Sequence, residues 1–262
     1  MALLDHLNEA VHDGQPVVLC TVVNTKGSVP RHPGTKMLVF ADGRFEGTVG
    51  GGETEQLVLQ EALAAMKDGR TRFLHYELID IEKGDPGLCG GTVTIFVEPF
   101  LSAPTVVVIG GGHVGRAVVH LASWLGYRVV LSDDREGLCT PETVPGADEY
   151  LAIPIEEVPA KVPIGPQTFF VLVTRGVEVD LRGLPLILAT DAPYIGLIGS
   201  KRRWAHCQEK LLEAGLPQEQ IDRVHSPIGL EINAETPDEI AVSIMAEITA
   251  IRNEGKRHFR KA

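Results

Sequence analysis

The chain has 262 residues, of which 44% are hydrophobic and 23% charged, with a formal net charge of −11. This is the composition of a globular protein with room for one large or two modest domains, and its negative balance argues against nonspecific attraction to nucleic acid or an anionic membrane, whose phosphates would repel it. No apolar run reaches the roughly 18 to 20 residues of a membrane helix, and the opening MALLDHLNEAVHDGQ lacks the basic start and apolar core of a signal peptide, so a cytoplasmic protein is expected.

Leu3, Leu4, Leu7, Ala10 and Val11 recur at helical spacing, and Pro16 then precedes the β-type run from Val17 to Val23. A polar loop from Gly27 to Gly34, a strand from Lys36 to Phe40 and a turn at Ala41 to Arg44 read as a hairpin. Gly47-Thr48-Val49-Gly50-Gly51-Gly52 leads directly into a helix from Glu53 to Met66. Strands from Arg72 to Leu78 and from Thr92 to Glu98 flank a turn-rich stretch containing Cys89-Gly90-Gly91. Two prolines bracket Pro99 to Pro104, which sets the expected division into domains 1–100 and 104–262.

From Thr105 strands and helices alternate. The spacing predicts strands at Val106 to Ile109, Val129 to Ser132, Ala147 to Leu151, Thr168 to Thr174 and Tyr194 to Ile198. Helices are expected from Val114 to Leu125, Leu181 to Thr190 and Arg203 to Ala214. Thr236-Pro237-Asp238-Glu239 has capping-box spacing with proline at the first helical position, ahead of a core stripe of Ile240, Ile244, Ile248 and Ile251. The basic tail from Lys256 to Lys261 has no apolar period and is expected to fray. The fold class is therefore α/β: an N-terminal α/β domain followed by a Rossmann-type, doubly wound parallel sheet.

Gly110-Gly111-Gly112-His113-Val114-Gly115 satisfies GxGxxG between an apolar strand and a helix, the context that makes this pattern informative. Gly110 permits the tight turn, Gly112 lets backbone amides approach a phosphate, and Gly115 lets the helix pack on the strand. His113 is either a phosphate donor or a solvated loop residue. The second strand ends in Asp133-Asp134, where a carboxylate can accept from ribose hydroxyls. A glycine loop kept for packing alone is the plainer alternative. An NAD(P)-dependent oxidoreductase would also need a domain offering an acid or base to the nicotinamide, and the preceding domain shows glycine loops in place of a recognisable proton relay.

Three loops of the first domain carry residues that secondary structure does not demand: Lys26 to Arg31, Gly50-Gly51-Gly52-Glu53-Thr54-Glu55, and Cys89-Gly90-Gly91. Consecutive glycines expose amides to an anionic or heterocyclic ligand, Arg31 and Lys36 supply positive charge, and Cys89 a soft sulfur. The commoner fate of a lone cysteine is a small buried thiol beside a turn. The four cysteines, Cys20, Cys89, Cys139 and Cys207, contain no CxxC pair, which fits neither a disulfide framework nor a zinc knuckle.

The runs TKGSVPRHPGTKMLV, GTVGGGETE, CGGTVTIFVEP, VVVIGGGHVGRAV, YIGLIGSKRR and HSPIGLEINAETPDEIAVSI, in that order, resemble the XdhC/CoxI family of molybdenum-hydroxylase maturation factors along essentially the whole chain. The resemblance implies a chaperone with no turnover of its own required. Such a protein binds the molybdenum cofactor (molybdopterin), assists its sulfuration by a cysteine desulfurase, and delivers it to an apo-enzyme of xanthine dehydrogenase or carbon monoxide dehydrogenase type. Carried over by residue, Cys89 with Gly90 and Gly91 matches the family's Cys-Gly-Gly, and Cys89 becomes the candidate contact to the metal. Arg31 and Lys36 match the basic positions of the first loop, and Glu55 the acid after the triple glycine. Gly199-Ser200-Lys201-Arg202-Arg203 and His225 match loops of the second domain, where Ser200, Lys201 and Arg202 suit a phosphate or a solvated basic face equally. Glu53 stands where many relatives have a second cysteine, Val177 where many have histidine and Asn233 where glycine is frequent, while Asp180 is kept. A homodimer is expected from the resemblance and the apolar content. The alternative function is an NAD(P)-dependent oxidoreductase acting on a small or pterin-like substrate, motivated by the dinucleotide fingerprint and Asp133.

Overall fold

The computed structural model describes residues 2–77, 91–101 and 103–253. Cys89, Gly90 and the basic tail lie outside the described residues. The chain divides into two compact units, Met1–Ser102 and Ala103–Ala262. Among the described residues no helix is long and apolar enough to cross a membrane.

In the first unit α1 (Ala2–His12) precedes β1 (Val17–Lys26), β2 (Lys36–Phe40), β3 (Phe45–Gly47), α2 (Gly52–Asp68), β4 (Arg72–Glu77) and β5 (Thr92–Phe100). The strands form an antiparallel sheet of order β3-β2-β1-β5-β4. Central β1 is buried on both faces: Val18, Cys20 and Val22 pack toward α2, while Val17 and Leu19 join Leu7 and Ala10 of α1. Alternate side chains point to opposite faces, so a strand covered on both sides reads as a continuous apolar run. β1 extends to Lys26, three residues beyond the apolar stretch, because β5 pairs with it as far as Lys26 opposite Thr92. β5 in turn continues through Pro99. β4 pairs only with Thr92 to Val97, so that end of β5 is an edge where a missing N–H is tolerated. The three-residue β3 has no sequence periodicity to reveal it and forms only as an edge against β2.

The second unit runs β6 (Thr105–Ile109), α3 (His113–Trp124), β7 (Arg128–Ser132), β8 (Glu149–Leu151), α4 (Val158–Lys161), β9 (Thr168–Leu172), α5 (Val177–Leu188), β10 (Tyr194–Leu197), α6 (Lys201–Glu213), α7 (Gln218–Ile221), β11 (Val224–His225) and α8 (Pro237–Arg252). Its six strands have the order β11-β10-β9-β6-β7-β8, and each registered pair is parallel. Read from β8, this is the 3-2-1-4-5-6 order of the Rossmann fold. Val106 and Val108 face α3 and α8, whereas Val107 and Ile109 face α4, α5 and α6, so β6 lies between two helical layers. The expected capping box forms: Glu239 N–H donates to Thr236 Oγ1 at 3.3 Å and Thr236 N–H to Glu239 Oε2 at 3.0 Å. α5 starts four residues before the expected Leu181, at Val177, because Gly176 supplies an extended N-cap and Asp180 is drawn into the interior. α6 starts at Lys201 because the Ser200 hydroxyl accepts from Arg203 N–H at 3.2 Å.

Gly115 is where α3 crosses closest to the strand. A Cβ there would overlap the Gly110 carbonyl oxygen and lie 3.3 Å from Val173 Cγ2. Gly115→Ala should therefore destabilise the second unit by about 3 kcal/mol, the upper end of ordinary overpacking, because the obstruction is backbone. A urea midpoint unchanged from that of the unsubstituted chain would show that α3 can slide away.

Candidate functional site

In the first unit β1 ends, β2 begins, β3 ends, α2 begins, β4 ends and β5 begins at one end of the antiparallel sheet. Connectivity alone brings the first loop, the triple glycine and Gly91 there. Gly91 is buried, and a Cβ on it would clash with Ser28 O, with Lys26 O at 2.6 Å and with Val29 Cγ1 at 2.7 Å. Gly50 lies against the Pro30 ring, its would-be Cβ 3.7 Å from Cγ. The first loop thus touches the start of β5 on one side and the triple glycine on the other.

Gly51 and Gly52 have φ of 86° and 63°, which glycine alone adopts without strain, and a Cβ on either would meet open space. Glu55 turns back onto this loop, accepting from the Thr48 hydroxyl at 2.6 Å and from Val49 N–H at 3.3 Å. Its carboxylate shapes the entrance to α2. Lys36 Nζ donates to Thr21 Oγ1 at 3.4 Å across the β1–β2 pair. Arg31 is exposed and donates to the Pro30 carbonyl at 3.1 Å. Cys89 and Gly90 lie outside the described residues. Cys20, Cys139 and Cys207 are free, buried thiols. Burial pushes Cys20 up to about 12 and Cys207 to about 11, so neither offers a thiolate near neutrality.

In the second unit the glycine loop leaves β6 at the switch point, where α3 departs to one face of the sheet and α5 to the other. Gly110 has φ of 117°, and a Cβ on it would lie 2.5 Å from Val173 O. Gly112 is the N-cap of α3, without a side-chain cap and with open space where a Cβ would be. His113 is the exposed first residue of that helix.

Asp133 is 5% exposed, and both of its oxygens are engaged. Gly111 N–H donates to Oδ2 at 2.8 Å, Arg135 Nε and N–H donate to Oδ1 at 2.8 and 3.0 Å, and Arg135 Nη2 donates to Oδ2 at 2.8 Å. Burial works to raise the Asp133 pKa, but Arg135 and the Gly111 amide outweigh it and hold the carboxyl below the usual range. The carboxylate expected to meet a ribose is here tied to its own loop. Its neighbour Asp134 receives both arms of Arg175, at 2.5 and 2.9 Å.

The remaining expected residues are spread along the sheet. Ser200 is occupied as the α6 cap, and Lys201 and Arg202 are exposed. Arg203 turns inward to the fully buried Asp180, through Nε at 3.1 Å and Nη2 at 2.5 Å, and also donates to Thr174 Oγ1 at 2.8 Å. The Thr174 hydroxyl donates to Asp180 as well. Burial raises the Asp180 pKa, and the hydrogen bonds from Thr174 and Arg203 only partly offset it. His225 closes β11 at the sheet edge, three strand spacings or about 14 Å from β6. Its Nδ1 lies 3.1 Å from Glu247 Oε1, while Glu247 Oε2 accepts from the Tyr194 hydroxyl at 2.6 Å and from Gly229 N–H at 2.8 Å. The structure thus brings Gly110, Gly112, His113 and Asp133 together and leaves His225 apart. Arg135, Arg175 and Glu247 escape sequence reasoning. A signal for Arg135 exists in the Asp-Asp-Arg run, but Arg175 and Glu247 acquire meaning only from strand order and helix docking.

Two family models match this chain: "XdhC and CoxI family" over residues 10–77 and "XdhC Rossmann domain" over residues 106–248. Among curated relatives, the uncharacterized protein YqeB of Escherichia coli K12 is 33% identical over 240 residues, 91% of this chain and 44% of its own length. A Bacillus subtilis 168 protein named as a probable xanthine dehydrogenase component is 30% identical over 161 residues, 62% of this chain and 47% of its own. The chain therefore spans about half the length of these two. The molybdenum cofactor insertion chaperone PaoD of Escherichia coli K12 is 25% identical over an alignment of 279 residues, covering 93% of this chain and 86% of its own. A crystal structure described as a xanthine dehydrogenase (BH1974) from Bacillus halodurans shares the fold, with a TM-score of 0.53, 22% identity and 97% of each chain covered.

The Asp133 arrangement predicts an acid limb in stability. A carboxyl depressed in the folded state stabilises it above the ordinary aspartate value of about 3.9, and that stabilisation is lost as pH falls through the lower folded value. Denaturant midpoints measured between pH 2 and 6 should drop in this window, and Asp133→Asn should flatten the drop. An identical acid limb in the variant would assign it to other carboxylates.

Proposed function

Because the chain belongs to the XdhC/CoxI family and carries an XdhC Rossmann domain in its second half, we propose that it is a molybdenum cofactor-binding maturation chaperone that assists sulfuration and insertion of the cofactor into a molybdenum hydroxylase of xanthine dehydrogenase or carbon monoxide dehydrogenase type. The observation that carries this reading is the meeting of the first loop, the triple glycine and Gly91 at one end of the first unit, with Gly91 seated against Lys26 and Ser28 and Gly50 against Pro30. The name of PaoD, a relative along nearly the whole chain, supports it.

The residues at that end suit the cargo. The molybdenum cofactor would present a metal held by a soft dithiolene and a pterin bearing an anionic phosphate. Gly51 and Gly52, with open space where a Cβ would stand, suit a phosphate through their backbone, and exposed Arg31 supplies a forked cation. Cys89 would provide the sulfur contact. Glu55 acts differently. Its carboxylate is bound by Thr48 and Val49, so it holds the loop in shape rather than the cargo. In this reading the protein's own work is to hold, orient and shield, and the partners are a cysteine desulfurase and the hydroxylase apo-enzyme.

The full chain mixed with molybdenum cofactor should retain it through gel filtration, followed by pterin fluorescence after oxidation. Cys89→Ala should lose it, and Arg31→Ala should bind roughly tenfold more weakly, the cost of a charge-assisted hydrogen bond. Failure of the unsubstituted chain to retain cofactor would overturn the reading, as would steady turnover of NAD(P)H at 340 nm with a pterin-like substrate.

A further inference from the structure

α3 and α8 lie on one face of the parallel sheet, where Val118, Ala122, Ile244 and Ile248 share a core. On the outward side the two helices leave an open groove of about 630 Å³. α8 lines it with Val242, Ala246 and Ala250, which recur every fourth residue and so share one side of the helix. α3 supplies Leu121, Trp124 and Leu125. None of the described residues lining the groove is charged. Trp124 is 76% exposed, the most open large hydrophobic side chain among the described residues, and Val242 is 50% exposed.

Single exposed apolar side chains are ordinary on a protein surface, but a tryptophan beside an uncharged groove makes a contiguous patch, which marks an interaction site. Charge and shape select the occupant. The chain carries a net charge of −11, so two copies repel wherever their carboxylates meet. Over the α3–α8 groove no charge opposes their approach. A partner of another sequence, basic where this chain is acidic, would gain by docking on carboxylates, and the groove offers it none. Shape points the same way. The projecting Trp124 and the groove share one face, so a two-fold axis beside them sets each copy's tryptophan over the other copy's groove and closes the assembly with every contact made twice. Ala246, Thr249 and Ala250 are short, which leaves room on α8 for an indole ring.

We propose that the outward face of α3 and α8 binds a second copy of this chain, with Trp124 of each copy seated against Ala246 and Ala250 of the other. An apolar centre without charge is the composition of homodimer cores, and a central tryptophan is the kind of anchor that carries most of the binding energy. The inference does not rest on the chaperone reading, since the groove lies wholly within the second unit.

Sedimentation velocity of the full chain over about a hundredfold range of concentration tests it. At the upper end the chain should sediment with twice the mass of one copy. Trp124→Glu and Ala250→Lys should each weaken association by roughly a hundredfold or more, because a two-fold interface meets each substitution twice. Both side chains are exposed, so both variants should keep the circular dichroism of the unsubstituted chain. An equimolar mixture of the two should recover the dimer, since the new carboxylate and the new ammonium then face each other and the second contact is intact. Leu212→Glu, at an exposed site on α6, should leave the dimer unchanged. In a Trp204→Phe chain, whose one remaining tryptophan is Trp124, emission should move to shorter wavelength as the dimer forms. A chain that stays monomeric at every concentration overturns the proposal, as do a dimer that survives Trp124→Glu, equal dissociation by Leu212→Glu, or a mixture that stays monomeric. Short-wavelength emission from the monomer that is lost on removing residues 254–262 would give the groove to the chain's own end, and overturns it too.

Discussion

Asp133 accepts from the Gly111 amide and from the Arg135 side chain at the end of β7, almost out of contact with water. A buried carboxylate must be satisfied by donors, and here the donors come from the glycine loop on one side and the segment after β7 on the other. The bond to Gly111 fixes the loop's height above the sheet, and the loop in turn sets where α3 begins and how closely Gly115 approaches Gly110. Arg135, folded back onto Asp133, leaves Arg175 as the partner of Asp134. The shape of the switch-point crevice follows from this one carboxylate.

The first unit reaches its arrangement by a different route. Among the described residues, no buried ion pair organises its loop end. Antiparallel connectivity returns the chain repeatedly to the same end, and small residues then let the loops close on one another. Gly91 is the tightest of these contacts, since carbonyls from the first loop occupy the space a side chain would need. Amides and a few cations remain at the surface, a chemistry suited to gripping an anionic cargo without reacting with it.

Much of the architecture is legible in the sequence because it rests on local periodicity. The glycine loop between an apolar strand and a helix, the Thr236–Glu239 capping box, the continuous apolar run of β1 and the alternation of strands and helices after Thr105 each involve residues a few positions apart. The elements that escape are short or depend on partners. β3 and β11 have three and two residues and exist as edges of their sheets. β1 outruns its apolar stretch because β5 pairs with it. Among the expected site residues, Glu55, Asp133 and Ser200 are of the right type and in the right loops, yet their polar atoms serve the protein's own backbone.

The amino-acid sequence by itself determined the family, the α/β class and the positions of the glycine loops, since these depend on residue types at fixed short spacings. Only the tertiary structure decided which charge meets which. Asp134 and Arg175 are 41 residues apart, Asp180 and Arg203 are 23 apart, and Tyr194 and Glu247 are 53 apart. A sequence records that a carboxylate and a cation are present. Strand order and helix docking determine whether they face each other, and therefore whether a carboxylate is offered to a ligand or held within the fold.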